Sequence, residues 1–293
     1  MTPSLPPEVK ALYPFEPHWL VLPEGRIHYV DTGGAGPVVV LMHGNPSWSF
    51  LWRDLIKSLS AKGFRCIAPD HLGMGLSDKP AKYLGLADRI RHVETLVDTL
   101  GVKAFHLCVH DWGGAIGGGL AGRRPDAVGR IVVTNTAAFL SPDIPFRIAV
   151  CKWPVFGPFI VRAFNAFAGP AAWMSVTKPL SPAVKRGFLL PYDSYANRRA
   201  VANFVQDIPL DAAHPTYATL AEVDANLAKL TGKPMFIAWG GRDFCFNHKF
   251  LATWKQRFPA ARVHCVEDAG HYVLEDAGET LIPEITAFLS EGA

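Results

Sequence analysis

The sequence predicts an α/β protein built on a mostly parallel sheet that is interrupted once by a helical insertion. Two observations carry this prediction. Short apolar runs alternate with segments of helical periodicity, the pattern of strand–helix–strand units. Between about residues 139 and 220 the alternation stops, and a stretch rich in Pro, Phe and Trp takes over before it resumes. One sheet domain split by an insertion explains a resumed pattern better than two domains in series. The expected division is therefore core 1–138, helical cap 139–220 and core 221–293.

Taken in order, residues 26–30 form an early strand and Asp31 to Gly34 the turn after it. Val38–Met42 is a continuous apolar run, as expected for a strand covered on both faces. After the loop HGNPSW, Trp52, Leu55, Ile56 and Leu59 recur at helical spacing. Residues 64–68 are the next strand, ending in Pro69-Asp70. Residues 105–109 are another and run straight into His110-Asp111-Trp112-Gly113-Gly114, where a helix of small residues begins. A strand follows at 131–134. Beyond the insertion come a strand at 234–239, a helix at 247–258, a strand at 262–266 and a last helix near 279–289.

Composition excludes several classes. Of 293 residues, 49% are hydrophobic and 19% charged, enough apolar material for a core and no sign of disorder. Net charge is +3 without a basic run, so nucleic acid is not expected as a partner. Five scattered cysteines (Cys66, Cys108, Cys151, Cys245 and Cys265) give no disulfide framework or zinc spacing, so no metal is expected and a reducing compartment is. The N-terminus does not read as a signal peptide, and the apolar stretch 148–174 is broken by Lys152, Arg162 and prolines. The expectation is a cytoplasmic protein without a membrane span.

Reactive groups of an open parallel sheet gather beyond the carboxyl ends of its strands. Three such ends carry Asp111, Asp243 and His271, in the chain order nucleophile, acid, histidine of an α/β-hydrolase triad. No Gly-x-Ser-x-Gly occurs, which disfavours a serine esterase. A strand-end aspartate by itself often only caps a helix. Here the following glycines, the helix and the downstream histidine argue for a nucleophile. A carboxylate is already ionised at neutral pH and needs no base for its first attack. His271 would serve a later proton transfer, and Asp243 would hold the imidazole tautomer. Asn45 and Trp112 offer backbone N–H groups for an oxyanion hole, and neutral side-chain donors for a leaving halide or carboxylate. His43 and His110 flank the site as loop-shaping residues. No cofactor is expected.

HGNPSW (43–48), APDHLGMGLSDKP (68–80), VHDWGG (109–114) and DAGHYVLED (268–276) resemble the haloalkane dehalogenase branch of the α/β-hydrolases. This resemblance runs over nearly the whole chain and implies the α/β-hydrolase fold, a mostly parallel eight-stranded sheet with an inserted helical cap, with Asn45 and Trp112 as the halide-binding pair. One dehalogenase subfamily carries a triad glutamate where this sequence has Asn135, so Asp243 is the acid expected. NTAAF (135–139), RAFNAF (162–167) and PYDSYANRRAVANFVQDIPL (191–210) are more similar to the β-lactone decarboxylases of bacterial olefin synthesis. That resemblance implies conversion of a cis-3-alkyl-4-alkyloxetan-2-one to a cis-alkene and carbon dioxide, with attack at either the ring carbonyl or the alkyl carbon. It also implies assembly with other enzymes of that pathway. Haloalkane dehalogenation is the alternative. Epoxide hydrolysis, with Tyr192, Tyr195 or Tyr217 as ring-protonating acids, ranks below it, and a non-catalytic binder lowest. The expected ligand is small and apolar. Phe139, Phe164, Tyr195 and Phe244 are the expected pocket residues, and the aromatic insertion, including Trp153, Phe156, Phe159, Phe167 and Trp173, is suited to alkyl tails.

Overall fold

The runs that read as strands are strands in the computed structural model, which describes residues 5–291. They are β1 (Pro17–Leu22), β2 (Gly25–Asp31), β3 (Val38–Met42), β4 (Arg65–Pro69), β5 (Phe105–Asp111), β6 (Val128–Thr136), β7 (Met235–Gly240) and β8 (Arg262–Val266). All join one sheet in the order β1-β2-β4-β3-β5-β6-β7-β8. The pairs β1–β2 and β2–β4 are antiparallel, and the rest are parallel. β1 is the strand whose position the apolar runs do not mark. It is an edge strand with only Leu20 and Leu22 buried.

The helices are α1 (Pro7–Leu12), α2 (Arg53–Ala61), α3 (Leu86–Thr99), α4 (Trp112–Arg123), α5 (Phe146–Lys152), α6 (Phe156–Ala163), α7 (Ala168–Met174), α8 (Pro182–Leu189), α9 (Arg199–Gln206), α10 (Tyr217–Asn226), α11 (His248–Arg257) and α12 (Val273–Ser290). β3 shows why the central strands are apolar throughout. Val40 and Met42 face the cluster built on α3 and α4, while Val39 and Leu41 face the one built on α2 and α12. Side chains alternate across a strand, so a sheet covered on both sides leaves no solvent face to fill.

Between β6 and β7 the chain folds into α5–α10, the segment where strand alternation stops. Three hydrogen bonds tie it to the loop after β3. Trp48 Nε1 donates to Gly187 O at 3.0 Å, Asn45 Nδ2 to Val201 O at 3.2 Å, and Tyr192 Oη to Ser47 O at 3.1 Å. The insertion therefore lies over the carboxyl ends of the sheet. All five cysteines are free thiols. Among the described residues, no helix is long and apolar enough to cross a membrane.

Candidate active site

β5 ends at Asp111 and α4 starts at the next residue. With no loop between them the chain turns sharply, and Asp111 takes φ 51°, ψ −128°, a conformation costly for a residue with a side chain. The turn also drives α4 against β3, where a Cβ on Gly113 would lie 2.1 Å from the Met42 carbonyl oxygen. The Thr136 hydroxyl donates to the Asp111 carbonyl. These constraints lift one carboxylate above the sheet in a fixed direction.

The two oxygens of that carboxylate have different surroundings. Oδ1 accepts the Asn45 backbone N–H at 2.6 Å. Oδ2 faces His271 Nε2 at 3.8 Å, an ion-pair separation that is too long for a hydrogen bond. Burial pushes the Asp111 carboxyl above its usual range, while His271 and the backbone N–H groups of Asn45 and Trp112 pull it back down. Asn45 spends one amide hydrogen on Val201, which leaves its second for the site.

His271 lies beyond β8, and its Nδ1 is 2.8 Å from Asp243 Oδ2. A carboxylate only accepts, so Nδ1 carries the proton and Nε2 is the working nitrogen. Burial alone would lower the imidazole pKa. The charge and hydrogen bond of Asp243, with the charge of Asp111, overcome it and raise the pKa above the usual histidine value. Asp243 is held in turn, because Oδ1 accepts the Cys245 N–H at 2.6 Å and Oδ2 accepts Asn135 Nδ2 at 2.9 Å.

Asn135 is the residue the sequence undervalues. At the end of β6 with φ 35°, it donates from Nδ2 to Gly240 O at 3.1 Å and accepts the Gly240 N–H at 2.8 Å. The Asp243 carboxylate is thus fixed by an amide clamped across two strands. The signal was an amide where a related acid is known, at the carboxyl end of a strand. His110 Nε2 lies 3.0 Å from the His271 carbonyl, and burial keeps this second imidazole neutral by lowering its pKa well below normal. His43 Nε2 accepts the His71 N–H at 3.0 Å. Both histidines shape loops, as expected.

A cavity opens above Asp111, Trp112 and His271, walled by Phe139, Phe167, Phe244 and Phe246. Phe139 and Phe244 therefore stand where the sequence reading put them. Phe164 and Tyr195 do not. Phe164 follows α6 with 72% of its surface exposed, its ring perpendicular to that of Phe159. Tyr195 is 50% exposed beneath the Arg162 guanidinium. Of the insertion aromatics read as tail contacts, Phe167 alone reaches the cavity, and Trp153, Phe156, Phe159 and Trp173 are exposed. Tyr192, Tyr195 and Tyr217 are all absent from the wall, and the Tyr192 hydroxyl is committed to Ser47.

A nucleophile-bearing turn between strand and helix, with an acid and a histidine from later strand ends, is the layout of one large family. Residues 37–278 match that family, described as alpha/beta hydrolase fold. The chain belongs to the α/β-hydrolase fold family. This α/β-hydrolase is 42% identical to a cis-3-alkyl-4-alkyloxetan-2-one decarboxylase of Shewanella oneidensis, over 96% of this chain and 90% of that protein. It is 44% identical to the protein of the same name from Xanthomonas campestris pv. campestris, over 94% and 97%. A protein named haloalkane dehalogenase 2 from Mycobacterium bovis is 35% identical over 94% and 95%. Among solved structures, a putative ancestral haloalkane dehalogenase superposes with a TM-score of 0.85 at 26% identity, covering 94% of this chain and 98% of that one.

Proposed function

We propose that this α/β-hydrolase is a β-lactone decarboxylase that converts a cis-3-alkyl-4-alkyloxetan-2-one to a cis-alkene and carbon dioxide. The observation that supports it most is the asymmetric carboxylate of Asp111, one oxygen pinned by a backbone N–H and the other turned toward His271 at an apolar cavity. The relatives at 42% and 44% identity give the substrate class.

In the reading we favour, Asp111 Oδ2 attacks ring carbon C4 from behind. The C4–O bond breaks, and its electron pair leaves on the new C2 carboxylate, received by the side-chain N–H groups of Asn45 and Trp112. The C2–C3 bond then breaks to give carbon dioxide, its electrons form the C3=C4 double bond, and the Asp111–C4 bond breaks to restore the aspartate. Inversion at C4 followed by anti departure of the two groups turns a cis lactone into a cis alkene. No water and no net proton is needed. Attack at the ring carbonyl would instead leave an anhydride on Asp111 and an alkoxide on C4, which is a poor leaving group. His271 acts here as an imidazolium that stabilises the departing Asp111 carboxylate, held in that form by Asp243.

Haloalkane hydrolysis uses the same carboxylate but needs the opposite state of His271, a neutral base that activates water. Relatives named haloalkane dehalogenase favour it as the second reading. The pH profile separates the two. Both activities fall as pH drops through the raised Asp111 value, because a protonated carboxyl does not attack. Alkene formation also falls as pH rises through the raised His271 value, whereas halide release rises there. Turnover of each substrate, measured from about pH 5 to 10, decides between them, and an alkaline rise in alkene formation would sink the imidazolium role.

Direct assay tests the substrate. A synthetic cis-disubstituted β-lactone is expected to give alkene, and halide release from a bromoalkane without lactone turnover would overturn the assignment. His271→Ala is expected to accumulate an adduct of the whole lactone mass on Asp111, read by mass spectrometry of the digested protein. We place the protein in the cytoplasm, where five free thiols suit the redox state, beside the enzymes that make its lactone.

A further inference from the structure

We propose that the outer face of the insertion docks on an anionic lipid surface, where the cavity exchanges its apolar ligand. Trp153, Pro154, Val155 and Phe156 are exposed in succession between α5 and α6. The Phe156 N–H bonds to Pro154 O at 2.6 Å, and Val155 takes φ 64°, ψ −56°. That is a three-residue turn of the strained hand, and a β-branched residue is an outlier in it. The result is a valine 85% exposed at the tip of the turn. Strain of this kind is retained where a site uses it.

Phe146, Phe159, Phe164 and Trp173 are exposed on the neighbouring helices. The Trp153 and Phe156 rings lie 6.1 Å apart, and those of Phe159 and Phe164 5.8 Å. Arg147 on α5 reaches Met174 Sδ at 3.4 Å, which sets α5 beside α7. Monomeric soluble proteins rarely leave aromatic groups this closely spaced in water.

Charge identifies the occupant. Residues 144–192 contain six basic side chains and no Asp or Glu, and of the six Arg186 is paired with Glu8 from outside the segment. Arg147, Lys152 and Arg162 have a thioether, the Gln206 carbonyl and the Tyr195 carbonyl as partners, with no carboxylate among them. Elsewhere the arginines Arg123, Arg124 and Arg257 are paired with acids. Exposed aromatic rings beside cations without an ion-pair partner among the described residues, here Arg147 and Arg162, are the features an anionic bilayer interface takes up, with the rings at headgroup depth. A protein partner would need carboxylates at fixed points, whereas lipid headgroups move to meet flexible side chains.

The same helices border the cavity from within. Arg147, Ile148 and Cys151 of α5 and Ala171 and Met174 of α7 are in its wall, so the helices that carry the exposed rings also line the cavity. A water-insoluble ligand then passes between bilayer and cavity without crossing solvent. The identity of that ligand rests on the proposed function, but the docking does not.

Co-sedimentation of the full chain with lipid vesicles tests this. Mixed phosphatidylglycerol–phosphatidylcholine vesicles are expected to bind at least about tenfold more tightly than phosphatidylcholine alone, with the difference lost at high salt. Trp153→Ser/Phe156→Ser is expected to weaken binding at least about tenfold, while turnover of a short, water-soluble lactone stays unchanged. No binding of the wild type to anionic vesicles, or equal binding by the double variant, overturns the proposal. So does a dimer that the double variant dissolves in the absence of vesicle binding, which makes the face a contact between proteins. If vesicles bind as expected but neither protein turns over any lactone, the docking stands and the proposed function falls.

Discussion

The Asp111→Asn variant is expected to fold and to lose turnover by at least about 10⁴-fold, the scale on which removal of a covalent nucleophile acts. An amide oxygen carries no full negative charge, so it does not displace the ring oxygen from carbon. Shape is preserved, because the asparagine Oδ1 still accepts the Asn45 N–H. Stability is expected to hold or rise. Burial raises the Asp111 pKa above its unfolded value, so at neutral pH the ionised carboxylate destabilises the native state, and the neutral amide removes that cost. Loss of turnover without loss of Tm separates chemistry from folding. Unchanged turnover would take Asp111 out of the reaction, and with it both the decarboxylase and the dehalogenase readings.

The elements that position the site were legible because each has a local cause. The central strands are apolar on both faces, so β3 emerges with the bounds the sequence gives it, and the abrupt passage from β5 to α4 is written in Asp111-Trp112-Gly113-Gly114. β1 was not legible as a place in the chain, since an edge strand with two buried leucines has no apolar run to show. Asp111, Asp243 and His271 meet because each stands at the carboxyl end of a strand or a few residues past it. Asn135 escaped for a different reason: its importance comes from a clamp between β6 and β7, two strands separated by the whole insertion. The cap misled most. Composition shows that it is aromatic, but not which aromatics point inward. Phe164 and Phe167 are three residues apart, one largely in solvent and the other in the cavity wall. Only the packing of short helices decides that.

Gly44→Ala is expected to abolish most activity through a single methyl group, by at least about 10³-fold. A Cβ at position 44 would stand 2.0 Å from Asp111 Oδ1 and 2.4 Å from its Cβ. Neither side has room to give. Asp111 is held by its turn, by the Thr136 hydroxyl on its carbonyl and by the fit of Gly113 against Met42. The loop carrying Gly44 is packed beneath the insertion through Asn45, Ser47 and Trp48. Either the carboxylate swings off the Asn45 N–H, or the loop shifts and takes Asn45 with it. Both outcomes separate the nucleophile from its donors, and overpacking of this kind destabilises by about 1–3 kcal/mol. The companion variant Gly44→Ala/Asp111→Gly removes the opposing side chain, so its Tm is expected to recover most of the loss, a coupling that only contacting residues show. If the two losses simply add, the clash lies elsewhere, and position 44 is glycine for its backbone rather than for the carboxylate it faces.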